Sequence, residues 1–254
     1  MVNGILWKLR TGSPWRDLPE RYGPWQTCFD RFNRWRRDGA WDHLLAHAQT
    51  KSDAVGEVEW EVSVDDTVVR AHQHVAGARR KPAENAKGLL NPEDEALGRS
   101  RGGFSTKLHL ACDGKGRPLS VVVTAGQRNG STQLERLLDG VRVPRPEGSP
   151  GRPRKRPEHL IADRGYSFPG CRDLLRRCGI RHTIPERKDQ RERRAGRPGR
   201  RPSFDREVYR RRNVVERCVG RLKQWRSVAT RYEKRAVNYR AVVIIASLMM
   251  WLPS

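Results

Sequence analysis

Three places in this chain put carboxylates where they could do chemistry: Asp65-Asp66, Asp163 and Glu216. Each interrupts a strongly basic background of 52 Lys and Arg against 29 Asp and Glu. Carboxylates suit Mg²⁺, a hard cation that prefers oxygen ligands and keeps exchangeable waters. Two such ions about 3.5–4 Å apart catalyse in-line displacement at a phosphodiester, one on the attacking oxygen and one on the leaving oxygen. Asp163 follows Leu160-Ile161-Ala162 and precedes Arg164-Gly165-Tyr166, so it lies where a buried strand opens into a loop. Strand C-terminal ends are frequent ligand sites in α/β sheets, although a loop-capping Asp suits the same position. At 100° per residue, Tyr209, Arg212, Glu216 and Lys223 fall within about 60° of one another, apart from an apolar stripe of Val214, Val215, Cys218, Leu222 and Trp225. One face packs and the other presents a Tyr/Arg/Glu/Lys row, which an ordinary solvated face with helical ion pairs would also show.

Other reactive types point less clearly. His72 and His74 form an H-x-H pair, but no further Cys/His cluster completes a transition-metal site. His109 and His182 fall on expected strands with no evident role. Five cysteines, Cys28, Cys112, Cys171, Cys178 and Cys218, include no C-x2-C pair and suggest neither a disulfide framework nor a zinc knuckle. Trp7, Trp15, Trp25, Trp35 and Trp41 suit a core more than base stacking, although with Arg36 and Arg37 they could form a helix-turn-helix-like DNA binder.

The formal charge of +23 favours a polyanion, nucleic acid before any other. It is concentrated in residues 151–240, with 29 Lys and Arg against 10 Asp and Glu. The Arg-rich loops 152–156 and 187–201 read as phosphate contacts of sequence-independent, salt-dependent affinity. The longest apolar run, Ala241 to Leu252, is twelve residues, short of the roughly 20 that span a bilayer. The N-terminus lacks a signal-peptide pattern, so a cytoplasmic protein with no membrane association is expected.

The elements that must position these groups follow from periodicity. Residues 3 to about 49 read as short Trp-, Arg- and Leu-rich helices punctuated by Pro14, Pro19 and Pro24. From Glu57 strict alternation signals a strand ending at Asp65-Asp66, with Asp65 and Asp66 on opposite faces. A polar loop at 73–103 precedes a hairpin, Ser105–Cys112 and Pro118–Thr124, around Asp113-Gly-Lys-Gly116. Then come a helix at 131–141, a basic linker at 143–157, a strand at His159–Asp163, a helix near 168–178 and a strand at Ile180–Pro185. The stretch 187–202 reads as a flexible loop, and helices at about 204–227 and 237–252 close the chain. This order predicts an α/β fold, a ribonuclease-H-like mixed sheet flanked by helices, at 57–254, with a small helical unit at 1–50.

With these residues in view, the chain resembles the Asp-Asp-Glu (DDE) transposases of bacterial insertion sequences, and in particular family five of those elements. Tyr209-x2-Arg212-x3-Glu216-x6-Lys223 matches the Y-R-E-K signature of that group at every position. Further matches are Val64–His74, Arg101–His109, Ala162-Asp163-Arg164-Gly165-Tyr166 and Arg212-Asn213-x2-Glu216-Arg217, so the likeness spans nearly the whole chain. The resemblance implies a metal-binding catalytic triad of Asp65, Asp163 and Glu216, Asp65 being chosen because it lies two residues before Thr67, with Asp66 the weaker candidate. It also implies Mg²⁺, with Mn²⁺ as substitute, and DNA contacts from Tyr209, Arg212, Lys223, Asn213, Arg217 and Arg164. The implied partners are double-stranded DNA, as inverted-repeat ends and target, and further copies of the chain. Relatives carry a further helix before the Gly4-Ile5-Leu6-Trp7 motif, so a truncated N-terminal DNA-binding unit is expected. Two rivals share these residues: a nuclease that cuts without joining, and a catalytically silent DNA-binding remnant.

Overall fold

The computed structural model of the chain describes residues 1–76, 95–100, 103–195, 202 and 204–252. Most of the polar loop expected at 73–103 lies outside the described residues, as do 196–201 of the Arg-rich stretch. Three helices open the chain: α1 (Val2–Thr11), α2 (Trp25–Arg37) and α3 (Ala40–Ala54). Then follow β1 (Glu61–Ala71), a single turn α4 (Gln73–Ala76), β2 (Gly98–Ser100), β3 (Gly103–Cys112) and β4 (Pro118–Ala125). The second half comprises α5 (Leu134–Asp139), β5 (His159–Ala162), α6 (Pro169–Arg177), β6 (Arg181–Thr183) and α7 (Lys188–Arg194). It ends with α8 (Arg206–Arg210), α9 (Asn213–Lys223), α10 (Arg226–Ala229), β7 (Thr230–Arg231) and α11 (Ala236–Met249).

Among the described residues the strands form one mixed sheet ordered β2-β3-β1-β5-β6, with β4 on β3 and β7 on β1. The β3–β4 hairpin is antiparallel and continues antiparallel onto β1, whereas β5, β6 and β7 add in parallel. Asp113 fixes the hairpin turn: its Oδ1 accepts from the backbone N–H groups of Lys115 (3.1 Å) and Arg117 (2.7 Å). Gly116, at φ +77°, takes the left-handed position that an L side chain resists. β4 is buried along its whole length, as a strand covered on both faces must be.

The sheet's two faces receive different helices. Glu61, Ser63, Asp65 and Thr67 point to one face, where α9 packs through Val214, Val215, Cys218 and Leu222. Val62, Val64 and Asp66 point to the other, with Ala111 and His109 opposite Val64 and Asp66 on β3. α11 is apolar around nearly its whole circumference, with Val242, Val243, Ile245 and Ala246 at 0–1% exposure, as a helix buried on all sides requires.

The N-terminal helices join this core directly. Ile5 and Leu9 of α1, Phe32 of α2, and Trp41 and Leu45 of α3 belong to the same hydrophobic cluster as the sheet and α11. Trp7, Trp15, Trp25 and Trp35 are half-buried. A buried ion pair, Lys8 Nζ to Glu233 Oε1 at 2.7 Å, ties α1 to the segment before α11, and Gln49 donates from α3 to the carbonyl of Pro118 at 3.1 Å.

Three expectations are corrected. The first strand does not end at Asp65-Asp66 but runs to Ala71, because β3 pairs with it through Arg70 and β7 through Ala71. The single helix expected at 204–227 is three, broken at Arg211-Arg212 and again after Gln224. The flexible loop at 187–202 contains α7, whose Arg194 grips Glu186 at 2.5 and 2.7 Å, and whose Arg, Glu and Gln residues are good helix formers. The linker at 143–157 is likewise pinned, by an antiparallel bridge between Val143 and Arg154.

Candidate active site

β1 pairs with β5 only as far as Val64 opposite Ala162, and with β7 only from Arg70, leaving residues 65–69 of that edge between them. Asp65 and Asp163 are the next residues along the two parallel strands, side by side where β5 turns away. Asp163 then caps a 3-10 turn at 164–166, its Oδ1 accepting from Gly165 N at 2.8 Å. The loop-cap and active-site readings of this residue are therefore compatible.

Arg212 connects the pair to α9. Its Nη2 donates to Asp65 Oδ2 at 2.8 Å and its Nη1 to Glu216 Oε1 at 2.7 Å. The break at Arg211-Arg212 permits this by turning Arg212 towards β1 at the start of α9. Tyr209 sits on α8, the helix before the one that carries Glu216 and Lys223, its carbonyl accepting from Arg212 N at 3.0 Å and its ring packing against Phe204 with centroids 5.3 Å apart. Lys223 lies one strand step beyond Asp65, donating to Thr67 Oγ1 at 2.8 Å. Asn213 and Arg217 are exposed on α9, and Arg164 is exposed on the turn after Asp163.

Burial raises the Asp65 carboxyl to about 6 against the pull of Arg212, and the neighbouring carboxylates of Asp163 and Asp66 add to the rise. Burial opposes the charge of Arg212, but Asp65 and Glu216 hold its pKa above the ordinary value. Lys223 is lowered by burial.

The other face of β1 holds a second polar group. Asp66 Oδ1 is 3.4 Å from Lys107 Nζ, and its carboxyl is raised by burial against that lysine. His109 Nδ1 lies 3.9 Å from Asp66 Oδ2, while its Nε2 is 2.8 Å from Thr124 Oγ1. Burial, Lys107 and Arg136 lower His109 to about 4, so the imidazole is neutral at pH 7 and its contact with Asp66 is not an ion pair. Tyr166 is 2% exposed, and burial with Asp66, Asp65 and Asp163 pushes its hydroxyl well above the usual phenol range. Sequence reading left Lys107, His109 and Tyr166 without roles. The available signal was two titratable residues of equal parity, Lys107 and His109, in a strand with no other ionisable side chain before Cys112.

Asp65, Asp163 and Glu216 supply oxygen donors, the chemistry a hard divalent cation takes. The crowded, desolvated Asp65 carboxyl beside Asp163 fits a cation held against both. Among the described residues no three His, Cys, Asp or Glu side chains converge into a closed metal cage; the Arg212 guanidinium links Glu216 to Asp65. His72 and His74 stack on each other at 4.5 Å and His72 on Tyr232 at 5.2 Å, a packing arrangement without a third metal ligand among the described residues. A groove of about 1270 Å³ between α3 and the end of α11 is mainly apolar and holds none of the three carboxylates.

Comparison with known proteins agrees with this frame. Residues 57–251 match the family described as transposase DDE domain, and residues 1–45 match the putative transposases of the IS4/5 family. The chain is 34% identical over 146 residues to the putative transposase for insertion sequence element IS402 of Burkholderia cepacia, covering 58% of this chain and 59% of that protein. It is 27% identical over 154 residues to the putative transposase for insertion sequence element IS6501 of Brucella ovis, covering 59% of this chain and 99% of that protein. An uncharacterized protein of Sinorhizobium fredii, y4sN, is 44% identical over 79 residues, 31% of this chain and 59% of its own length. The chain thus spans about 59% of the first curated relatives it matches. On the match over residues 57–251, this chain belongs to the transposase DDE domain family.

Proposed function

We propose that the protein is the transposase of a bacterial insertion sequence, which binds terminal inverted repeats, cuts a phosphodiester at each end and joins the freed 3′-hydroxyls to target DNA. The observation that carries this reading is that Asp65 and Asp163 each follow directly on the last β1–β5 pair, Val64 opposite Ala162, where the charge of Asp163 acts on Asp65, with Arg212 linking Asp65 to Glu216. Asp65, Asp163 and Glu216 would hold two divalent ions, Mg²⁺ or Mn²⁺, which activate water and then the 3′-hydroxyl and stabilise the leaving oxygen.

The chain's own groups do the positioning. Arg212 has two N–H donors committed to carboxylates, and a phosphate oxygen can replace either acceptor with the same geometry. Lys223, fixed by Thr67 on the Asp65 face, is placed to neutralise a phosphate beside the scissile bond. Tyr209, Asn213, Arg217 and Arg164 would contact the flanking backbone. Two ends must meet for joining, so the working unit is a homo-oligomer on DNA.

Labelled duplexes carrying the inverted repeats, incubated with Mg²⁺ and a target plasmid, test this reading. Strand-transfer products that disappear with Asp163→Asn are expected. Cut ends without joined product would favour the nuclease alternative, and binding without any cutting would favour a silent remnant.

A further inference from the structure

Beside β6, which among the described residues is the last strand on its side of the sheet, a groove of about 1210 Å³ lies between α6, β6 and the residues at the start of α8, and it holds none of the proposed catalytic carboxylates. Arg172 and Arg176 of α6, Arg181 and His182 of β6, and Arg206 of α8 line it, together with the half-exposed ring of Phe204. Arg172 donates to the carbonyl of Ile184 at 2.7 Å, Arg181 to that of Glu158 at 3.3 Å, and Arg176 to the Asp173 carboxylate, so the guanidinium planes are directed by the protein. The one carboxylate lining it among the described residues, Asp205, accepts from the N–H groups of Glu207 (2.9 Å) and Val208 (3.1 Å) as the α8 cap. The cations are crowded: burial lowers Arg172, and Arg194 and Arg176 lower it further against the pull of Glu186, while burial, Arg172 and Arg176 lower His182 against its bond to the Ile180 carbonyl.

The location bears on DNA. Thr183 of β6 pairs with Ile161 of β5, two residues before Asp163, so the groove wall lies one strand over from the catalytic pair. Phe204 stacks against Tyr209, three residues before Arg212, so the groove opens at the same helix junction that reaches Asp65. Cations alone would suit any phosphate backbone. An exposed aromatic ring inside the groove is more selective, because bases in intact duplex are stacked on one another and offer no free face. A ring flanked by guanidiniums is the arrangement that holds an unpaired strand.

We propose that this groove binds a short stretch of single-stranded DNA continuous with the strand at the catalytic centre, Phe204 stacking on an unpaired base and Arg172, Arg176, Arg181 and Arg206 contacting its phosphates. This rests on the transposase reading for the source of the strand, but not for the binding itself.

Fluorescence anisotropy with a labelled single-stranded oligodeoxynucleotide, and with the same sequence as duplex, tests it on the full chain. Phe204→Ala is expected to weaken single-strand binding about tenfold while leaving duplex affinity within about twofold, and Phe204→Trp to restore it. Arg181→Ala is expected to lower the salt dependence of single-strand binding by about 0.7 in log–log slope. Equal losses on both substrates, or no loss with Phe204→Ala, would overturn the groove assignment. Asp163→Asn serves as the separating control: it should lose cleavage and keep Phe204-dependent single-strand binding, so failure of the catalytic reading and failure of the groove are read independently.

Discussion

Asp65 ionises near pH 6 because burial removes water from its carboxylate and Asp163 and Asp66 add like charge, more than Arg212 compensates. A carboxyl raised in the folded state contributes stability that is full below the unfolded value near 4 and is lost as pH rises through about 6. Asp65→Asn, which resembles the protonated form, should therefore be more stable than wild type at pH 8 by on the order of 2 kcal/mol and no more stable at pH 4. Thermal melts across that range check it; a gap that does not change with pH would contradict it. Arg212→Lys should keep the charge and still lose at least about tenfold in cleavage rate, since one ammonium cannot reproduce the planar donation to Asp65 and Glu216. At this scale the opposite facing of Asp65 and Asp66 was legible from alternation alone. The bridge from Arg212 to Asp65 was not, because it spans 147 positions and depends on a helix break that no Pro or Gly announces.

α1 is fastened to the catalytic sheet by a buried ion pair, Lys8 at 3% and Glu233 at 11% side-chain exposure. Removing one partner leaves a buried charge alone, so Glu233→Gln should cost roughly 3 kcal/mol, whereas Lys8→Met with Glu233→Leu should be close to neutral. Denaturant unfolding of wild type, Lys8→Met, Glu233→Leu and the double variant gives the coupling directly, with Glu233→Gln measured beside them. The hairpin, β5 and α11 were legible because each is marked by alternation or an unbroken apolar run. The extension of β1 past Asp66 was not, since Thr67–Ala71 gains its strand partners from β3 and β7, the latter about 160 residues away along the chain. α7 escaped notice because its Arg and Glu content reads equally as a solvated loop or a solvated helix.

The whole molecule carries +23, and its arginines stand both beside Asp65, through Arg212, and along the groove at β6. If six or more phosphates are contacted, affinity for nonspecific duplex should fall about a thousandfold between roughly 50 and 200 mM salt, measurable by anisotropy titration. A weak salt dependence would mean that few of these cations reach DNA. The ribonuclease-H-like mixed sheet was legible because hairpin-joined strands come first in the sequence and helices separate the later ones; the union of the N-terminal helices with the sheet in one hydrophobic cluster was not, since pairing between distant apolar faces leaves no local signal.

The most direct test of the active-site assignment is the Mg²⁺-dependent nicking rate on inverted-repeat duplex for Asp65→Asn, Asp163→Asn and Glu216→Gln beside Asp66→Asn. The first three should lose at least about a thousandfold, the scale of a lost ligand in a two-metal site, and Asp66→Asn, whose carboxylate lies beside Lys107 on the other face of β1, should lose much less. Undiminished nicking with Asp65→Asn and its abolition with Asp66→Asn would place the metal on the opposite face of β1 and contradict the assignment.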